Sequence, residues 1–189
     1  MYCAIEGIDT SGKSTQIAAL KEIFKEALFT FEPGATEIGR EIRSTLLEHD
    51  LHCTSKTEML LFLADRAEHS ERILKPNTDK LIISDRSLIS GIAYAKDFDF
   101  GILRTLNFFA TGGIVPNKVV LLELTQEVLE ERLSAKSWDK IEKRGISYLL
   151  ELQEALKEVI LKLEIESLLL QADLSRAEIT AKIVDFIKS

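Results

Sequence analysis

The stretch "GIDTSGKST", residues 7–15, places Gly7, Gly12, Lys13 and Ser14 in the spacing G-x-x-x-x-G-K-[ST]. It follows a short apolar run, "YCAIEG" at 2–7, and opens a segment of helical period at 13–26. A strand, a glycine-bearing loop and a helix in that order form a cradle for phosphate. Backbone N–H groups from Gly7, Ile8, Asp9, Thr10, Ser11, Gly12, Lys13, Ser14 and Thr15, together with the helix N-terminus, supply positive potential. Lys13 offers a charge to the outer phosphates, and the Ser14 hydroxyl suits Mg²⁺. Asp9 is the odd member, an anion set among groups that attract anions. Its carboxylate can accept from a sugar hydroxyl of an acceptor or reach the metal through water, or it can cap the following helix.

Outward from the loop, short runs rich in Ile, Val and Leu alternate with helical stretches. Strands are expected at 2–7, 27–31, 80–84, 118–124 and 167–172. Helices are expected at 13–26, 36–48, 55–74, 87–96, 101–111, 125–134, 145–165 and 175–188. The strands read as continuously apolar, which predicts an α/β fold: a five-stranded parallel sheet flanked by helices on both faces. In 145–165, Leu149, Leu152, Leu156, Val159, Ile160 and Leu163 form one apolar stripe for packing.

The chain has 189 residues, within the range of a single domain, and neither repeats nor a linker divide it. Its 24 Lys plus Arg against 31 Asp plus Glu, a net charge of −7, speak against a surface that tracks a nucleic-acid polymer. The two cysteines, Cys3 and Cys53, have no zinc-type spacing. No apolar run is long enough for a membrane span, and the N-terminus leads straight into the phosphate loop without room for a signal peptide. A cytoplasmic protein is expected.

The phosphate loop leaves the acceptor open. A GTP-hydrolysing switch is contradicted at "NKVV", 117–120, where guanine recognition of the N-K-x-D type needs a carboxylate and the chain has Val120. In "LIISDRSLISGIAYA", 81–95, Asp85 and Arg86 stand at the carboxyl end of a predicted strand, where doubly wound sheets gather ligands. The carboxylate can serve a Mg²⁺ shell and the guanidinium can fork onto phosphate; a structural ion pair is the alternative. In "LLFLADRAEH", 60–69, Phe62 and Arg66 share a helix face. A ring can stack on a base while the guanidinium donates to an exocyclic carbonyl, which separates thymine or uracil from cytosine. Alternatively Phe62 is core and Asp65 with Arg66 a solvated pair.

Together with "FEPGATEIGREIRSTLL" at 31–47 and "DKIE" at 139–142, these motifs resemble the thymidylate kinase family nearly end to end. The resemblance implies a P-loop nucleotide kinase with a short lid near 134–145, ATP as donor, dTMP as acceptor, Mg²⁺, and a homodimer. It implies that Asp9 meets the acceptor's 3′-hydroxyl, Arg86 its phosphate, Phe62 the thymine ring and Arg66 its O4. Ser90 would lie on the base side, Tyr94 beside the deoxyribose, and Asp85 near the metal.

The chain departs from the family pattern in three respects. Phe31 replaces a basic residue before "EPG", with Arg40 and Arg43 on one face of the next helix as substitutes. Ser87 replaces a tyrosine common after the Asp-Arg pair. Thr10 and Ser11 leave the phosphate loop without a cation beyond Lys13, so the lid must supply charge through Lys136 and Lys140, flanked by Arg132 and Arg144. Two other readings stay open: a related nucleoside monophosphate kinase of different base choice, and a catalytically weakened nucleotide-binding protein.

Overall fold

The computed structural model describes residues 1–49, 53–134 and 145–189. Five strands, β1 (Tyr2–Glu6), β2 (Leu28–Phe31), β3 (Ile82–Asp85), β4 (Lys118–Glu123) and β5 (Glu166–Gln171), form one sheet in the order β2-β3-β1-β4-β5. All neighbours pair in parallel. The α-helices are α1 (Lys13–Ile23), α2 (Glu37–Arg43), α3 (Ser55–His69), α4 (Leu88–Tyr94), α5 (Phe100–Thr111), α6 (Gln126–Ser134), α7 (Ile146–Lys162) and α8 (Arg176–Lys188). They cover the sheet in two groups: α1 against α8, and α3, α4, α5 and α7 packed one on the next.

Burial explains the strand pattern. Every residue of β1 and β4 is buried, as expected for the centre of a parallel sheet. The continuous burial expected of all five strands does not extend to the edges: Leu169 on β5 is 46% exposed, as is Phe31 on β2. The stripe on α7 packs inward through Leu149, Leu152, Leu156, Val159 and Ile160. Gln153 interrupts it for a reason: its amide accepts from Leu124 N at 2.8 Å and donates to Leu124 O at 3.1 Å. The side chain thereby acts as one more strand for the backbone just beyond β4.

Two expected helices change character before they end. The segment 36–48 is α-helical only to Arg43 and continues as a π turn, Ser44–Glu48. The segment 55–74 is α-helical to His69, followed by a π turn, Ser70–Leu74. Both π turns follow elements that carry site residues. Strand β3 runs later than expected because Asp85 pairs with Ile5 and with Phe31. The carboxyl ends of β1, β2 and β3 are therefore level, and everything following them is delivered to one edge.

Candidate active site

The phosphate loop is shaped by backbone conformations that few residues tolerate. Gly7 has φ 150°, and a Cβ there would stand 2.8 Å from Leu122 O. Gly12, the N-cap of α1, has φ 96°. Thr10 adopts φ 66° without being glycine. Lys13 folds back into the loop, its Nζ donating to Gly7 O at 2.8 Å and Ile8 O at 2.9 Å. Burial first, then the nearby Arg86 charge, pulls its pKa down to about 8. Ser14 and Thr15 are exposed at the start of α1. Thr10 Oγ1, Ser11 Oγ and Asp85 Oδ1 are buried with no hydrogen-bond partner among the described residues.

Arg86 joins this loop to the neighbouring cavity. It holds φ 71°, a conformation disfavoured for a residue with a Cβ. Its Nη2 meets Asp9 Oδ1 at 2.6 Å, and its Nη1 donates to Gly7 O at 3.3 Å and Ser90 Oγ at 3.2 Å. The guanidinium also lies over the Tyr94 ring, 5.3 Å from its centre. Asp9 thus answers the cation beside it, while Gly12 caps α1. Asp85 and Arg86 are not paired with each other; the arginine turns to Asp9.

Beneath Arg86 lies buried Glu6, which accepts from Ser87 Oγ at 2.7 Å and Ser90 Oγ at 2.6 Å. Burial raises its pKa, against the two serine hydrogen bonds. Ser87 also caps α4 through Ile89 N, so the residue standing where a tyrosine is usual serves the buried carboxyl and the helix start.

The cavity has a volume of about 260 Å³. Asp9, Phe62, Arg66, Arg86, Ser90 and Tyr94, the six acceptor-side residues singled out from the sequence, all line it. So do Glu32, Asp65, Arg43, Pro33, Leu47 and Gly91. Arg40 is exposed and does not line the cavity, whereas Arg43 does and donates to Pro33 O at 3.0 Å. Phe31 is absent from the lining.

Arg66 is not a solvated partner of Asp65. It is 3% exposed and bonds Glu32 Oε2 through Nε at 2.8 Å. Glu32 also meets His69 Nδ1 at 2.8 Å, and His69 Nε2 meets Thr30 Oγ1 at 2.7 Å. Burial alone would raise the Glu32 pKa, but the Arg66 charge and His69 outweigh it and hold it at about 2. Asp65 turns instead to the backbone, its Oδ1 accepting from Gly34 N at 3.0 Å. The turn carrying "EPG" is thereby tied to α3. A pair 34 residues apart, Arg66 with Glu32, leaves no local signal in the sequence.

"NKVV" is spent on structure. Asn117 Oδ1 accepts from Tyr2 N at 2.8 Å, and Lys118 donates to Phe186 O and Ser189 Oγ, both at 2.8 Å. These residues sit where β4 begins, the opposite end from the phosphate loop. Lys136, Lys140 and Arg144 lie outside the described residues. Arg132, at the end of α6, donates to Thr10 O at 2.8 Å and to Ala172 O at 2.5 Å, so one flanking cation rests against the phosphate loop. Cys3 is buried, Cys53 exposed, and neither forms a disulfide. Among the described residues no helix is long and apolar enough to cross a membrane.

A phosphate loop on the central strand, facing an acceptor cavity across an arginine, defines a P-loop nucleotide kinase. The thymidylate kinase family model matches residues 5–183. The thymidylate kinase of Wolinella succinogenes is 59% identical over 184 residues, covering 97% of this chain and 96% of the other. That of Campylobacter lari is 51% identical over 99% of both chains, and that of Aliarcobacter butzleri 49% identical over 99% and 98%. The solved thymidylate kinase of Ehrlichia chaffeensis superimposes with a TM-score of 0.77 over 100% of this chain and 98% of its own; at 22% identity it speaks to the fold alone. The chain belongs to the thymidylate kinase family, and the family is one of phosphotransferases.

Proposed function

We propose that this enzyme moves the γ-phosphoryl group of ATP onto dTMP, giving dTDP, as one catalytic domain with its lid within 134–145. The observation that carries the reading is that all six acceptor-side residues line one cavity, which Arg86 links to the phosphate loop. Donor phosphates lie along residues 7–15, with Lys13 at the outer ones. The acceptor phosphate meets Arg86 and Arg43, so Arg43 restores the charge that Phe31 lacks. Phe62 stacks on thymine, Arg66 donates to its O4, Asp9 accepts from the 3′-hydroxyl, and Tyr94 crowds the place a 2′-hydroxyl would take. Ser90 holds Arg86 from the base side.

Transfer is in line: the bond from the β,γ-bridging oxygen to γ-phosphorus breaks as an acceptor phosphate oxygen bonds that phosphorus. Position and charge supply the catalysis, without a covalent intermediate. The further positive charge on the moving group is assigned to Lys136 and Lys140, which lie outside the described residues. Mg²⁺ fits the donor set: Asp85 Oδ1 is buried with no hydrogen-bond partner among the described residues, and Ser14 offers a hydroxyl. Mg²⁺ takes few protein oxygens and draws the rest of its shell from phosphate and water. When bound, the ion neutralises charge on the phosphate oxygens. A reducing cytoplasm suits a chain with two unpaired thiols.

Steady-state turnover with ATP and a panel of nucleoside monophosphates tests the reading, and dTMP is expected to give the highest kcat/KM. Preference for another base would move the chain to the related-kinase reading. ATP binding without dTMP turnover would make it a weakened binding protein. Arg43→Ala is expected to raise the KM for dTMP about tenfold with little change in the KM for ATP. An unchanged dTMP KM would remove Arg43 from the acceptor phosphate.

A homodimer is supported by exposed apolar side chains on three helices in sequence of contact: Ile38 on α2, Leu60 on α3, and Ile102 with Phe109 on α5. Phe109 is 86% exposed, and its spacing from Ile102 is two helical turns. Sedimentation is expected to give a dimer for the native chain and a monomer for Phe109→Glu. A monomeric native chain at micromolar concentration would refute the dimer.

A further inference from the structure

A guanidinium has five N–H donors in a fixed plane. In Arg66 three of them make hydrogen bonds and a fourth faces Glu32 in the ion pair. Nε donates to Glu32 Oε2 at 2.8 Å, and Nη2 stands 2.7 Å from the same oxygen. Nη2 also donates to Ser87 O at 3.3 Å, and Nη1 donates to Asn107 Oδ1 at 2.8 Å. One hydrogen remains, on Nη1.

That nitrogen lies against Gly91, which lines the cavity. A Cβ on Gly91 would collide with Nη1 and come within 2.7 Å of Cζ, so only bare backbone lets the guanidinium reach the wall. Asn107 is 1% exposed, sits on α5 and does not line the cavity. Its amide cannot turn over freely, because Nδ2 donates to Leu103 O at 2.8 Å. Reversing it would set donor against donor at Arg66 and acceptor against acceptor at Leu103.

We infer that Asn107 is a positioning residue for base selection: by taking one Nη1 hydrogen of Arg66, it leaves the other as the single guanidinium donor presented to the base. A carbonyl satisfies that donor. An exocyclic amino group opposes it and leaves a buried N–H unmatched, the strongest form of polar discrimination. Glu32 holds the guanidinium on its far edge, but only Asn107 determines how many Nη1 hydrogens face the cavity. The inference rests on Arg66 being the base-facing donor.

The experiment compares dTMP with 5-methyl-dCMP, which differ at C4 by carbonyl against amino, through their dissociation constants measured by competition. Asn107→Leu removes the acceptor at nearly constant volume. It is expected to lower the preference for dTMP about tenfold, to raise the KM for dTMP more than it alters kcat, and to leave the KM for ATP unchanged. Asn107→Asp keeps an oxygen facing Nη1 and is expected to retain most of the preference. Should Asn107→Leu not fold, Asn107→Ser, too short to reach Nη1, takes its place with the same expectation.

An unchanged preference in a folded Asn107→Leu or Asn107→Ser variant overturns the inference, as does an equal loss in Asn107→Asp. Arg66→Ala separates the two levels. If it leaves the preference intact, Arg66 does not address the base and both fall. If it abolishes the preference while Asn107→Leu does not, only the role of Asn107 falls.

Discussion

Arg86→Gln is expected to lower kcat/KM for dTMP about a thousandfold while the KM for ATP changes little. Glutamine keeps a neutral donor but is shorter and uncharged, so the loss reports the charge, the fork and the reach of the guanidinium together. Arg86 is placed before any ligand arrives: Nη2 is held by Asp9 at 2.6 Å and Nη1 by Gly7 O and Ser90 Oγ. Its backbone at φ 71° is a strained choice that directs the side chain across the gap between loop and cavity. A donor already fixed in place needs no reorganisation during transfer, which is where such groups gain their effect. Arg86→Lys should recover part of the rate, since a point charge remains but the planar fork does not. Initial rates of dTMP-dependent ADP formation measure this, with thermal unfolding to confirm the fold. A kcat/KM for Arg86→Gln within tenfold of the native value would exclude Arg86 from the transfer.

What the sequence discloses of this site is what depends on near neighbours. The phosphate loop is legible because its chemistry lies within Gly7 to Thr15. Phe62 and Arg66 share a face because a helix brings residues four apart together. Contacts between distant segments have no such mark. Arg66 meets Glu32 and Asn107 from 34 and 41 residues away, and nothing local tells that its guanidinium is clamped rather than loose. Gly91 reads as an ordinary helical glycine until the guanidinium packed over it is known. Arg40 and Arg43 looked equivalent on the helix face; only the turn at Pro33, whose carbonyl Arg43 bonds, tells them apart.

The same distinction holds for the fold. Apolar runs identified the strands, since central strands must exclude polar side chains on both faces. They could not rank β5 and β2 as edges, because sheet order is a property of crossovers. Likewise the periods of 36–48 and 55–74 continue smoothly through the π turns at Ser44–Glu48 and Ser70–Leu74, a change of one residue per turn that apolar spacing does not register.

Lys13→Met should lower kcat about a thousandfold, and it should also abolish a proton uptake expected of the native enzyme at alkaline pH. In the ligand-free fold the Lys13 ammonium is buried and satisfied by two carbonyls, Gly7 O and Ile8 O, at 2.8 and 2.9 Å. Burial and the Arg86 charge outweigh Asp9, Asp85 and Glu6, leaving a pKa of about 8 against the ordinary 10.5. Between these values the unfolded chain binds the proton and the folded one does not. Stability of the free enzyme therefore rises with pH across that window, and the cost of the buried charge is carried in full below it. Incoming phosphates reverse the balance and recharge the lysine. At about pH 9 nucleotide binding should take up close to one proton, and at about pH 6.5 Lys13 should contribute none. Calorimetric titration in two buffers of different ionisation enthalpy reads the number directly. At saturating nucleotide, Lys13→Met should show no uptake at the alkaline pH. Native enzyme that binds nucleotide at pH 9 without uptake would mean that Lys13 is already charged in the empty loop. The backbone N–H groups and Arg86 would then face a second fixed cation before any phosphate arrives.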